Sequence, residues 1–457
     1  MKHSGNNICH ILVKKAKVKL KNTRGMKYSI YNNKVSICNG FGIFYNSMSD
    51  RFLVLKGNNM ADIDRLSADS LKQTNADLYA KLVSINGIVS NNCNEVAMLE
   101  NLIKKLDNDD SAYILHINPT LDCNFRCWYC YENHVKGSKM NDGMVEKVKM
   151  LITRIISGND NLKTLQLSFF GGEPLLHFNE VARPIITFAK EETAKNDIAL
   201  GVHFTTNAFL LSKMMFDFFD GLNISFQITI DGDQQRHDQT RFCTNGKGSY
   251  KTIIGNIRQL AERGHHVIMR INYTSKNISG IENVIEEIGK FDCKAKQNIH
   301  IDLQQVWQDV NNDKQATDCQ ARLRLQEARS KGIFTTSCKT FDRVRNACYG
   351  DKRNHAVINY NGDVFQCTAR DFNKNNRSGY LSDDGRIIYE NDALNKRMSI
   401  KLSRDVCKIC SIAPLCGGGC TQQAIESRNI EGCIYGMGQN EIRKAILDRF
   451  EYKFISK

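Results

Sequence analysis

The chain has 457 residues, of which 41% are hydrophobic and 25% charged, with 31 glycines and 4 prolines. That is enough for about three domains of ~150 residues around buried cores, and it excludes collagen-like and disordered classes. No run approaches the ~18 apolar residues of a membrane span, and the N-terminal stretch lacks the apolar core of a signal peptide, so a soluble, cytoplasmic protein is expected.

The net charge of +14, from 63 basic and 49 acidic residues, first suggests nucleic acid. Basic residues cluster at Lys14, Lys15, Lys17, Lys19 and Lys21, and elsewhere are dispersed among acids as on solvated helix faces. No Arg-rich helix or RNP-type aromatic motif accompanies them, so no nucleic-acid partner is expected, whereas an acidic peptide would be attracted equally well. The 17 cysteines are an odd count, and in a reducing compartment they point to metal ligands rather than disulfides.

In chain order, residues 1–110 read as a small α+β unit. Strand-like runs fall at Tyr28–Tyr31, Val35–Cys38, Gly42–Tyr45 and Arg51–Leu55, the last two joined by a hairpin turn over Asn46–Asp50. One helical pattern covers Ser70–Ser84 and another starts at the N-cap Asn94, carrying Val96, Leu99 and Ile103. Residues 111–331 alternate strand and helix, with strands at Tyr113–Ile117, Thr164–Phe170, Ala199–Thr205, Ser225–Ile230, Val267–Tyr273 and Asn298–Gln304. Six βα units imply parallel strands with right-handed crossovers, too few for a closed eight-stranded barrel. An α/β fold built on an open, partial (β/α)6 barrel is expected, with its chemistry at the C-terminal strand ends. Residues 332–457 break this pattern: regular structure reads as sparse, cysteines accumulate, and metal sites would supply the missing cross-links.

Directly after the first barrel strand comes Cys123-x3-Cys127-x2-Cys130. Three thiolates on one loop leave a metal position open, the arrangement of a [4Fe–4S] cluster with one non-cysteinyl iron. A zinc loop with a distant fourth ligand is the alternative. After the second strand, Gly171 and Gly172 would let backbone approach a ligand with amide and carbonyl groups free, and Glu173 adds a carboxylate able to hold an ammonium.

On these residues the chain resembles the radical S-adenosylmethionine (SAM) superfamily. Cys123, Cys127 and Cys130, with Tyr129 before the last cysteine, match its cluster motif, and Gly171-Gly172-Glu173-Pro174 matches the segment that binds the methionyl amino group. The same resemblance implies SAM contacts for Asn207, after the third strand, for Thr229, at the end of the fourth, and for Arg241. It further implies that SAM, chelated by the open iron, is cleaved by one electron to a radical that removes a hydrogen atom from an unactivated carbon.

The C-terminal region reads Cys348-x13-Gly362-x4-Cys367, then Cys407-x2-Cys410-x5-Cys416-x3-Cys420-x12-Cys433. Zinc knuckles could use such thiols, but the arrangement is similar to the SPASM domain of peptide-modifying radical SAM enzymes. By that resemblance Cys338, Cys348, Cys367 and Cys420 hold one auxiliary cluster and Cys407, Cys410, Cys416 and Cys433 another, making three [4Fe–4S] clusters in all. Cys9, Cys38, Cys93, Cys243, Cys293 and Cys319 are left as buried or incidental thiols.

The resemblance implies a peptide maturase with an N-terminal, winged-helix-like unit that binds the leader of a ribosomally made precursor by strand addition. The reaction would install a thioether, carbon–carbon or ether cross-link, with electrons from an external reductant such as flavodoxin or ferredoxin. Peptide epimerisation needs a hydrogen donor that cannot be placed. Anaerobic sulfatase maturation is disfavoured because more than a hundred residues precede Cys123 and because Thr368, not aspartate, follows Cys367. A zinc-stabilised nucleic-acid-binding protein is the non-enzymatic alternative.

Overall fold

The structure is a computed structural model that describes residues 25–37, 39–243, 246–309, 314–335, 342–428 and 431–454. Cys9, Cys38, Cys338 and the basic stretch at 14–21 lie outside the described residues.

The first strands are β1 (Met26–Tyr28), β2 (Asn32–Ser36), β3 (Phe41–Asn46), β4 (Arg51–Lys56) and β5 (Ile88–Ser90). β2, β3 and β4 form an antiparallel sheet, and the expected β3–β4 hairpin pairs Asn46 with Arg51 across a turn in which Asp50 has φ +56°. β1 and β5 pair separately. The helix expected over Ser70–Ser84 is two helices, Ala68–Thr74 and Ala76–Ser84. Asn75 divides them: its side chain accepts from Leu78 N at 3.1 Å and caps the second helix in the way that competes with helix continuation. Asn94 caps Glu95–Asp107 as expected, accepting from Ala97 N at 3.1 Å.

Six parallel strands follow: β6 (Ala112–Ile117), β7 (Thr164–Phe169), β8 (Ala199–Thr206), β9 (Ile224–Ile230), β10 (His266–Tyr273) and β11 (Ile299–Gln305). All six fall within a residue or two of the sequence reading. Their register sets Phe169 opposite Phe204 and Phe204 opposite Phe226, and the three fully buried rings stack across adjacent strands at 4.8 and 6.0 Å. Those rings and the buried faces of the crossover helices, such as Val148, Leu151 and Ile152, form the main core. Short β12 (Phe334–Thr335) adds to the β11 edge.

The C-terminal region holds more regular structure than its sequence suggested. Strands β13 (His355–Ile358), β14 (Asp363–Phe365), β15 (Gly379–Leu381) and β16 (Ile387–Tyr389) continue the barrel sheet, with β13 parallel to β6 through the pairs His355–Ile114 to Ile358–Ile117. The last helix, Gln439–Phe454, packs on the N-terminal sheet, where Phe450 and Phe454 meet Phe52 edge-on at 5.4 and 5.8 Å. Arg449 bridges Asp50 in the hairpin turn (2.6 and 2.7 Å) and Asp342 (2.9 Å). Burial alone would raise Asp50, but Arg449 and Lys453 hold its carboxyl down to about 2. No helix among the described residues is long and apolar enough to cross a membrane.

Candidate active site

The loop after β6 is tied before it reaches its cysteines. Leu121 N donates to Ser138 Oγ at 2.9 Å, Asp122 N to Thr120 Oγ1 at 2.8 Å, and Gly137 N to Asp122 Oδ2 at 2.9 Å. Cys123 and Cys127 are half-buried and Cys130 is exposed. Burial, with Glu173 and Cys127 adding negative charge, pushes the Cys123 thiol up to about 12. Thiolates here therefore need a compensating cation, and metal binding would release protons.

Gly171 and Gly172 pack directly on this loop. A Cβ on Gly171, at φ +100°, would lie 2.4 Å from Thr120 O, and one on Gly172 would lie 2.1 Å from Asp122 O. The Gly172 amide is not free for a ligand as the sequence suggested: it donates to Thr120 O at 3.1 Å, and Glu173 N donates to Asp122 O at 2.9 Å. The glycines thus allow strand end and cluster loop to share backbone hydrogen bonds. Glu173 is 1% exposed and already accepts from Leu175 N (3.0 Å), Thr206 Oγ1 (2.6 Å) and Asn207 N (2.8 Å). Of roughly four acceptor positions on a carboxylate, this leaves about one for an ammonium. Burial raises this carboxyl above its ordinary value.

Asn207 donates through Nδ2 to Asn124 Oδ1 at 2.8 Å, so it too leans on the cysteine loop. Tyr129, between Cys127 and Cys130, places its hydroxyl 2.8 and 2.7 Å from the two oxygens of Asp231 and accepts from Arg241 Nη1 at 2.9 Å. Arg241 also covers the ring of Phe125 at 5.7 Å. Asp231, 1% exposed, is pushed up to about 6 by burial, against the opposing pull of Arg241. Thr229 is half-buried near the end of β9, on the face opposite Phe226, Ile228 and Ile230. Asp231, Asn124 and Phe125 were not read as site residues, since sequence shows neither the burial of Asp231 nor the side chains that meet across the loop.

The other two cysteine groups also assemble. Cys348, Cys367 and Cys420 are close enough that the charge of each acts on its neighbour, and Cys407, Cys410, Cys416 and Cys433 line one pocket with apolar Ile412 and Ala413. Of the remaining thiols, Cys293 and Cys319 are exposed, Cys93 is half-buried, and buried Cys243 bridges its backbone to Phe125. Tyr349, next to Cys348, packs its ring 4.4 Å from His116 of β6 and 4.8 Å from His355 of β13. The two histidines lie 3.1 Å apart, and burial lowers both.

The residues present fit a cluster and a bound nucleoside-amino acid. Two buried donors beside the loop, Arg241 Nε and Asn124 Nδ2, have no protein partner, as acceptors of a ligand would require. No three His, Cys, Asp or Glu side chains among the described residues converge at single-ion distance.

Residues 117–288 match the radical SAM superfamily. This part of the chain is a radical SAM domain. The domain implies a [4Fe–4S] cluster and SAM, and with it an enzyme. Among curated relatives, the radical SAM cyclopropyl synthase TigE of Paramaledivibacter caminithermalis is 21% identical over 226 residues, 46% of this chain. The match spans 46% of TigE's own length, about half. A cysteine-type anaerobic sulfatase-maturating enzyme of Clostridium novyi is 24% identical over 327 residues, covering 65% of this chain and 85% of that enzyme. In fold, the chain resembles Streptococcus suis SuiB bound to precursor peptide SuiA, with TM-score 0.52, 15% identity, 89% of this chain and 98% of SuiB.

Proposed function

We propose that this chain is a cytoplasmic peptide maturase that forms an intramolecular thioether, carbon–carbon or ether cross-link in a ribosomally made precursor. The observation that carries this reading is the joining of β13 to β6, which sets Tyr349, beside Cys348, against His116 in a barrel strand. A cross-linking reaction removes a second electron after hydrogen abstraction, and a thiol group beside the barrel suits an electron-accepting cluster.

Cys123, Cys127 and Cys130 would hold the cluster that works with SAM, which when bound supplies an adenosyl radical able to remove a hydrogen atom. Gly171, Gly172, Glu173, Asn207, Thr229 and Arg241 would hold SAM, with Tyr129 fixing Arg241. Cys348, Cys367 and Cys420 would hold one auxiliary cluster, with Cys338 as its fourth ligand, and Cys407, Cys410, Cys416 and Cys433 a second. Flavodoxin or ferredoxin would supply the electron. The leader would add as a strand along β4, whose outer edge is unpaired among the described strands. Residues 1–110, 111–331 and 332–457 serve as the recognition, radical and auxiliary-cluster domains in this reading.

Co-expression with small open reading frames encoded beside the gene, followed by mass spectrometry, tests it: a product about 2 mass units lighter supports a cross-link. A second reading, formylglycine formation, is favoured by the coverage of 85% of the Clostridium novyi sulfatase-maturating enzyme. Oxidation of a cysteinyl sulfatase peptide by this enzyme would select it.

A further inference from the structure

We propose that Arg343 and Arg397 are positioning residues for the Cys348–Cys367–Cys420 site, two fixed cations that hold an iron–sulfur cluster there at a raised reduction potential. The inference rests on the reading of those cysteines as cluster ligands.

Arg397 is buried on the helix Ala393–Ser399. Its Nη1 donates to Gly350 O at 3.1 Å, and Nη2 bonds Gln422, two residues beyond Cys420. A Cβ built on Gly350 would lie 3.6 Å from Arg397 Nη1 and 3.9 Å from Cys348 Sγ, so guanidinium and thiol flank the same point. Arg343 approaches from another segment. Its amide donates to Leu415 O at 2.7 Å, its Nε is buried without a partner, and its charge acts on Tyr435 and Asp351 and then on Cys420 and Cys348.

Asp351, whose charge acts on Cys348 and on both arginines, shares a single lysine with Asp107, so these two carboxylates leave one negative charge against the two guanidiniums. Lys401 is shared between Asp107 at 2.8 Å and Asp351 at 3.3 Å, and Arg370 forms a bidentate pair with Glu426 at 2.8 and 2.7 Å. Burial keeps His116 and His355 neutral. Arg343 and Arg397 are left as the cations here that form no ion pair among the described residues. Reduction adds one electron to the cluster and makes or breaks no bond. A fixed positive charge in a low dielectric stabilises the more negative, reduced state.

The test is a redox titration, read by electron paramagnetic resonance, of full-length enzyme reconstituted anaerobically. The signal of this site is the one lost in Cys348→Ala. Arg397→Gln and Arg343→Gln are each expected to weaken electron uptake there about tenfold, a midpoint lower by about 59 mV for a one-electron couple. Arg397→Lys keeps the charge and is expected to shift it less than half as far, with the other clusters unmoved. Unchanged midpoints in both neutral variants at full iron content overturn the proposal, as does an equal shift in Arg397→Lys. Should Arg397→Gln lose its cluster with its bonds to Gly350 and Gln422, Arg343→Gln decides. A wild-type enzyme with no Cys348-dependent signal instead overturns the ligand reading, and the inference with it.

Discussion

The hydroxyl of Tyr129 sits between Asp231 and Arg241, 2.7 Å from Asp231 Oδ2 and 2.9 Å from Arg241 Nη1. One phenol thereby ties the cysteine loop to the segment after β9. Asp231 is an acid whose carboxyl is raised from 3.8 to about 6 in the fold. Below about 4 it is protonated in both folded and unfolded chains. Between about 4 and 6 the unfolded chain gives up its proton while the folded one keeps it, so rising pH removes stability across that window. Thermal unfolding from pH 4 to 7 should show this loss in the wild type and a flatter profile in Asp231→Asn. Identical slopes would refute the assignment.

Gly172→Ala brings a methyl group against Asp122 O, at a built distance of 2.1 Å. The contact is backbone against backbone, so the cysteine loop itself must move. Phe125 of that loop belongs to the main core, so thermal stability of the variant is measured alongside its binding. Its SAM affinity should fall at least about tenfold, a loss of about 1.4 kcal/mol. Equilibrium dialysis with SAM, beside iron analysis, measures both effects.

Arg449 satisfies two carboxylates from different segments, Asp50 and Asp342. Arg449→Ala leaves Asp50 with Lys453 at 2.6 Å and Asp342 with Arg345 at 3.5 Å, and the lost charged hydrogen bonds should cost about 1.5–3 kcal/mol in the contact between hairpin and last helix. Hydrogen exchange should then rise in β3 and β4 while β7 to β10 stay protected. Uniform protection throughout would show that the clamp is dispensable. Because Asp50 is held at about 2, below its ordinary 3.8, its share of the stability is present above about 4 and disappears as pH falls toward 2.

Cys416→Ala removes one wall of the thiol pocket at Cys407, Cys410 and Cys433. If three clusters are bound, iron should fall from about twelve to about eight per chain, while SAM cleavage under dithionite persists. Unchanged iron content would remove Cys416 from the ligand set. Full loss of SAM cleavage would mean that the sites do not act separately.

The barrel strands were legible because each is a short apolar run followed by helical periodicity, a local signal. The β3–β4 hairpin was legible for the same reason. The pairing of β13 with β6 was not, because His355-Ala-Val-Ile is only four residues long and its partner lies more than two hundred positions earlier. Spacing singled out the cysteines and the glycine pair, but it left the Gly172 amide free. The Gly172 amide is taken by Thr120 O and the Glu173 amide by Asp122 O, contacts that exist only once β6 and β7 lie side by side. Asn75 likewise looked like an ordinary polar position inside a helix until its side chain turned back to cap Leu78.

The union of β6 with β13 also limits how this chain can be divided. A fragment ending near residue 331 would leave the β6 flank with bare amides and carbonyls along four residues now paired to His355–Ile358. Such a flank invites self-association, so the radical half should be insoluble when made alone and recover when residues 342–454 are supplied with it.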